Sequence, residues 1–148
     1  MSIPRHPGGS LDVVSAGILG FLAPFALGYS FVDDATAIPP QAYYFTLCVM
    51  GLHAFSTIMD YEVDKNIGDR TFAVAYGKRI AAFLPGCIFL LSLFFVTAIY
   101  VKGFFIVCSL LSFFTAINPS EKFARYFFLL MFLGAIIALG SWIFFLMT

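Results

Sequence analysis

Residues 41–79 read QAYYFTLCVMGLHAFSTIMDYEVDKNIGDRTFAVAYGKR, and the change of character at Asp60 decides the fold. From Gln41 to Met59 there is no Asp, Glu, Lys or Arg. From Asp60 to Arg79 there are eight, half of the eight basic and eight acidic residues in the chain. A helix crosses a bilayer core in about 20 apolar residues, within a range of about 17–25. The apolar half therefore reads as a membrane helix and the charged half as the hydrophilic loop at its end.

Similar apolar runs lie on either side. With Gln41–Met59 they are Val13–Val32, Ile80–Tyr100, Gly103–Ile117 and Ala124–Met147. Gly20, Pro24, Gly28, Pro85, Gly86, Gly134 and Gly140 inside them are tolerated in lipid, where neighbouring helices resatisfy the backbone. None alternates with period two, which argues against membrane strands. The whole chain is 61% hydrophobic and 11% charged, with a mean hydropathy of +0.98. Soluble domains carry roughly 25% charged residues, and a globule this size buries only about 70% of its unfolded surface. Lipid is the expected solvent for most of the chain. We expect an all-α integral membrane domain over residues 1–148, with five helices at approximately 13–32, 41–65, 80–100, 103–117 and 120–147. The first run is longer than the apolar region of a signal peptide and precedes four more, so it reads as a true span.

Orientation follows from the cations. Five spans place Arg5, Lys65, Arg70, Lys78, Arg79, Lys122 and Arg125 on one side and only Lys102 on the other. A seven-to-one bias predicts a multi-pass protein of the cell membrane, with its N-terminus and the 60–79 loop cytoplasmic. Asn118-Pro119-Ser120-Glu121 reads as a helix start, with Asn118 as N-cap and Pro119 in first position. Pro39-Pro40 starts the second helix. Net charge is zero, which leaves no basic footprint for nucleic acid. Cys48, Cys87 and Cys108 form no CxxC or Cys/His pairing and read as small buried hydrophobes.

Chemistry concentrates around Asp60. Asp60 and Asp64 are four residues apart, so a helix continuing through them puts both carboxylates on one face, with Thr57 and His53 extending it as a polar stripe. Two like charges one turn apart repel each other, and a divalent cation relieves that repulsion. Carboxylate oxygens suit Mg²⁺, usually held by one or two carboxylates plus substrate phosphates. Gly68 lets the chain turn. Arg70 and Lys65 then supply cations for phosphate oxygens, the Arg in bidentate fashion. Asp60, Asp64 and Arg70 are the expected catalytic group, with Asp60 and Asp64 as the metal contacts. Lys65, Arg70, Tyr61, His53 and Thr57 are the expected binding residues. Spacing alone leaves open a plain solvated loop, and a hydrogen-bonded interior role for His53.

The stretch from Asp60 to Gly77, DYEVDKNIGDRTFAVAYG, resembles the second aspartate-rich motif of the UbiA superfamily of intramembrane prenyltransferases. That motif runs D-x-x-x-D, then R or K, x-x-G-x-R-T-x, A or P, x-x-x-G. Upstream, His53-Ala-Phe-Ser56 resembles the lycopene-elongase-like branch. Pro7-Gly-Gly-Ser-Leu11-Asp12-Val-Val-Ser15 looks like the start of the family's helix five. The family has nine membrane helices, and the second motif follows helix six. The resemblance therefore implies that this chain corresponds to helices five to nine, the C-terminal half.

It further implies an alkyl-group transferase of isoprenoid biosynthesis. Such an enzyme passes a prenyl group from an allylic polyprenyl diphosphate to a lipophilic acceptor such as a carotenoid, within membrane lipid and with Mg²⁺. The family's first motif, N-x-x-x-D-x-x-x-D on helix two, has no counterpart here, and Asp69 departs from the family's apolar or small residue. The expected partner is a separately encoded N-terminal half, failing which the chain is a truncated product. The alternative is a non-catalytic fragment or pseudoenzyme that binds polyprenyl lipid or scaffolds a relative. A small transporter or channel component accounts for the polar stripe but leaves Gly68, Arg70 and Thr71 unexplained.

Overall fold

A computed structural model of the chain describes residues 9–34 and 37–147, the stretch 142–147 by its backbone alone. Arg5, Pro7 and Gly8, used above, lie outside the described residues. The described residues form helices and connecting turns, with no strand among them. Helix α1 runs Ser10–Tyr29 and contains one π-helical turn, Ile18–Leu22. That widened turn immediately precedes Pro24, whose ring has no N–H and crowds the carbonyl of Gly20. The wider turn absorbs the conflict, and the helix continues.

Helix α2, Pro40–Ser56, begins on the second of two prolines, with Pro39 extended at φ −65°, ψ 144°. It does not continue through the acidic motif. Ser56 donates to the carbonyl of His53 and Thr57 to that of Ala54, both at 2.7 Å. Back-bonding of consecutive hydroxyls bends helices. The amides of Ile58 and Met59 then reach only three residues back, to Phe55 and Ser56. The next helix, α3 (Tyr61–Ile67), leaves at 69° to α2. A continuous second helix to residue 65 is thus corrected: it breaks at the Ser56-Thr57 pair.

Gly68 ends α3 at φ 78°. Its amide bonds to the Lys65 carbonyl and that of Asp69 to the Asp64 carbonyl, the paired bonds of a Schellman cap. Helix α4 (Phe72–Tyr76) and a second positive-φ glycine, Gly77 at 90°, lead into α5, Lys78–Ser92. Here too the boundary differs from expectation. Ser92 bonds back to Ile88 at 2.9 Å, the chain turns through Leu93–Phe95, and α6 spans Ile99–Ile117. The stretch from Leu93 to Lys102 is apolar and free of Gly and Pro, so hydropathy placed the turn at Lys102. In the fold Lys102 belongs to the first turn of α6, its amide bonded to the Ala98 carbonyl.

Helix α7 spans Glu121–Met147. Its first amide bond, Ala124 to the Ser120 carbonyl, makes Ser120 the N-cap position, while the amide of Asn118 still closes the end of α6 on Phe114. The expectation of Asn118 as N-cap is corrected accordingly.

Helix α2 packs on α1, α5 and α7, α5 on α6, and α6 on α7. Phe55, Phe89, Phe105 and Ile58 are fully buried among them. Large apolar side chains also cover the outside: Leu19 is 69% exposed and Ile137 72%. Among the described residues three helical stretches, Ser10–Tyr29, Ile99–Ile117 and Glu121–Ser141, are long and apolar enough to cross a membrane, and there is a fourth only if the bent α2–α3 pair counts as one span. At 15 residues, α5 is shorter than an ordinary span. This is the architecture of a helical membrane protein, apolar on the surface as well as in the core.

Candidate functional site

The acidic motif lies on the connector between α2 and α5. Asp60 is the N-cap residue of α3, at φ −111° and ψ 11°, and makes no side-chain capping bond. Its carboxylate is therefore not occupied by the helix amides, as an N-cap aspartate often is. Asp64 lies one turn on, its amide bonded to the Asp60 carbonyl at 2.8 Å. The two acids share the first turn of a short helix, at i and i+4 of α3 instead of at the end of α2.

Lys65 and Arg70 are exposed. Among the described residues neither is in an ion pair with a carboxylate. Lys65 lies 5.6 Å from the centre of the Tyr61 ring, within cation–π range. The neighbouring Asp69 accepts the Arg70 amide at 2.8 Å.

The polar stripe from His53 to Asp64 is corrected by the bend. Thr57 is buried, donating to the Ala54 carbonyl and accepting the amide of Ala73 at 3.1 Å. A hydroxyl with both functions in use ties α4 to the end of α2. His53 is half-buried, with Nε2 2.9 Å from Oδ2 of Asp12 on α1. Since a carboxylate only accepts, Nε2 carries the proton in this bond. His53 and Asp12 thus lock α1 to α2, one alternative that the spacing left open.

Charged contacts missed in the sequence surround the acids. Lys78 donates to Oε1 of Glu62 at 3.0 Å and of Glu121 at 2.9 Å, with its ammonium 4.4 Å from the centre of the Tyr61 ring. Partial burial alone lowers the ammonium pKa. The hydrogen bonds and charges of the two glutamates outweigh it and hold Lys78 above its ordinary value. Arg125, on α7, donates to the carbonyl of Met59 at 3.2 Å and lies 3.9 Å from Oδ1 of Asp60. The cation count that put Lys78 and Arg125 on one side was the only signal of these contacts. The partners themselves are 16 to 66 residues apart along the chain.

No cluster of three or more His, Cys, Asp or Glu side chains suited to a metal occurs among the described residues. A pair of carboxylates fits an ion whose remaining ligands are phosphate oxygens and water, the usual Mg²⁺ arrangement, and does not fit an all-protein cage. A groove of about 600 Å³ between α5 and α6 is lined by Arg79, Ile80, Phe83, Phe113, Ala116 and Ile117. No residue from Asp60 to Gly77 lines it.

Comparison with family models, curated proteins and solved structures found no match to this chain.

Proposed function

We propose that this chain forms the C-terminal half of a UbiA-like prenyltransferase, with five membrane spans and the Asp60–Gly77 connector on the cytoplasmic face of the cell membrane. One observation carries the reading. The connector presents an Asp60 carboxylate free of capping duty, Asp64 one turn away, and two exposed cations, Lys65 and Arg70, that are in no ion pair among the described residues. In this reading α5 is the third span, lengthened by the turn at Leu93–Phe95 on the opposite face.

The proposed chemistry is ionisation of an allylic diphosphate followed by transfer of the prenyl group to a lipophilic acceptor such as a carotenoid. Asp60 and Asp64 would hold Mg²⁺, which when bound supplies Lewis-acid stabilisation of the leaving pyrophosphate. Lys65 and Arg70 contribute fixed positive charge toward the phosphate oxygens, strongest where water is scarce. The Schellman cap at Gly68 turns the chain so that Arg70 follows the acids without lengthening α3. Phe and Tyr side chains of the bundle keep water from the carbocation. The remaining carboxylates of the clamp come from an N-terminal half.

A second reading is a non-catalytic membrane protein that binds polyprenyl lipid. What favours it is the approach of Arg125 to Asp60, which partly neutralises one acid from within the chain. Co-expression with a candidate N-terminal half, assayed for Mg²⁺-dependent pyrophosphate release from an allylic diphosphate, separates the two. Activity lost in Asp60→Asn and Asp64→Asn supports the enzyme. Equal activity in those variants sinks it.

A further inference from the structure

Arg125 is placed where a helix does not favour a cation. It lies in the second turn of α7, close to the positive end of the helix dipole. Its side chain reaches the end of α2, where the 69° bend has freed the Met59 carbonyl and where the α2 dipole is negative. One guanidinium nitrogen, Nη2, bonds that carbonyl at 3.2 Å and lies 3.9 Å from Oδ1 of Asp60. A guanidinium has five N–H donors, and this one is 63% exposed while Asp60 is 61% exposed. Most of its donors are thus open to solvent beside the carboxylate that begins the motif. The Asp60 contact, at 3.9 Å, is longer than a charge-assisted hydrogen bond.

From this geometry we infer that Arg125 is an anion-contacting residue of the diphosphate site, supplied by the last helix of the chain. Without an anion it leans on Asp60. With a diphosphate beside Asp60 and Asp64, its open donors turn to the phosphate oxygens, while the bond to Met59 keeps the guanidinium in place. The inference rests on the diphosphate reading above and adds a third cation to Lys65 and Arg70. No acid other than Asp60 pairs with Arg125 among the described residues, so the exchange breaks no other ion pair.

The test is calorimetric titration of the chain, co-expressed and co-purified with its candidate N-terminal half, with inorganic pyrophosphate and Mg²⁺ in a nonionic detergent free of phospholipid, with thermal unfolding measured alongside. Arg125→Gln removes the charge and leaves a shorter side chain that still carries an N–H donor. It should weaken pyrophosphate binding by about tenfold or more without moving the unfolding midpoint, and Arg125→Lys should recover part of the loss. An Arg125→Gln protein that binds pyrophosphate as tightly as the unmodified chain overturns the assignment. A loss of affinity that only accompanies earlier unfolding, and that disappears on cooling, overturns it too. Failure of the underlying reading looks different: the unmodified chain together with its N-terminal half does not bind pyrophosphate, or Asp60→Asn binds it unchanged, and the Arg125 assignment falls with it.

Discussion

The ring of Phe89 on α5 fills the notch above Gly51 on α2, so closely that a Cβ at Gly51 would meet Cε1 of Phe89 at 2.7 Å. The same device recurs along the bundle. Gly17 on α1 faces Met50 on α2, Gly86 on α5 faces Phe113 on α6, and Gly134 on α7 faces Phe104 on α6. Each of these four helix pairs is keyed by one glycine and one large side chain. Between membrane helices the lipid gives no hydrophobic reward for association, so close packing at small residues must supply it.

Substituting Gly51 therefore tests the bundle directly. Gly51→Val should destabilise by about 1–3 kcal/mol, the usual cost of overpacking, and lower the unfolding midpoint in detergent. Adding Phe89→Leu should recover part of the loss, because the clash is with the ring itself. A midpoint unchanged by Gly51→Val would show that α2 and α5 do not meet there.

Thr57 makes a second, local prediction. Thr57→Val removes the acceptor for the buried Ala73 amide, and an orphaned buried donor costs about 1–3 kcal/mol. Hydrogen exchange at Ala73 should accelerate, with little change at Phe105 in α6. Thr57→Ser retains the acceptor and should behave as the unmodified chain.

What could be read from the sequence divides along the same lines. Helix starts marked by proline, as at Pro40, were legible because the ring fixes φ and lacks a donor. The end of α3 was legible in Gly68 for the converse reason, a backbone angle that other residues avoid. The break at Ser56-Thr57 was not, since both hydroxyls could equally have lined a polar face; only the Ala73 amide, sixteen residues on, decides the role of Thr57. The turn after Ser92 was hidden in an apolar run, where hydropathy carries no boundary. The acids of the candidate site were singled out by their spacing together with the resemblance of the stretch around them, since spacing alone left a plain solvated loop open. Arg125, which approaches Asp60, and Lys78, which pairs with Glu62 and Glu121, come from other helices, and no local pattern in one sequence joins them to the connector.

Lys78 joins the connector to the start of α7 through Glu62 and Glu121. Lys78→Met should cost about 1 kcal/mol or less, because Glu62 is largely exposed and such pairs are screened by water and salt. The sign with pH follows from the raised pKa. The ammonium's contribution is complete below the unfolded value near 10.5 and is lost as pH rises through the higher folded value. The gap in unfolding midpoint between the two proteins should thus stay constant from neutral pH to about pH 9.5 and close only above pH 10.5. A gap that narrows at neutral pH would exclude Lys78 as its source.

Topology gives the last prediction, and it separates five spans from fewer. If α5 crosses the bilayer, the turn at Leu93–Phe95 lies on the face opposite the motif. If α5 instead lies at one interface, that turn shares a face with Asn66. In a background with Cys48, Cys87 and Cys108 replaced by Ala, single cysteines at Asn66, Thr97 and Ser120 report each face to a membrane-impermeant thiol reagent. Five spans require Asn66 and Ser120 to react only when the cytoplasmic face is open, and Thr97 to react from outside in intact cells. Because α5 has only 15 residues, about 22 Å of helix at 1.5 Å per residue, the crossing also needs the turn to enter the headgroup layer or the bilayer to thin around it. The Thr97 cysteine should consequently react more slowly than one at Asp33, which follows the full-length α1. Equal protection of Thr97 and Asn66 from outside would put α5 at the cytoplasmic interface and remove it from the count of spans.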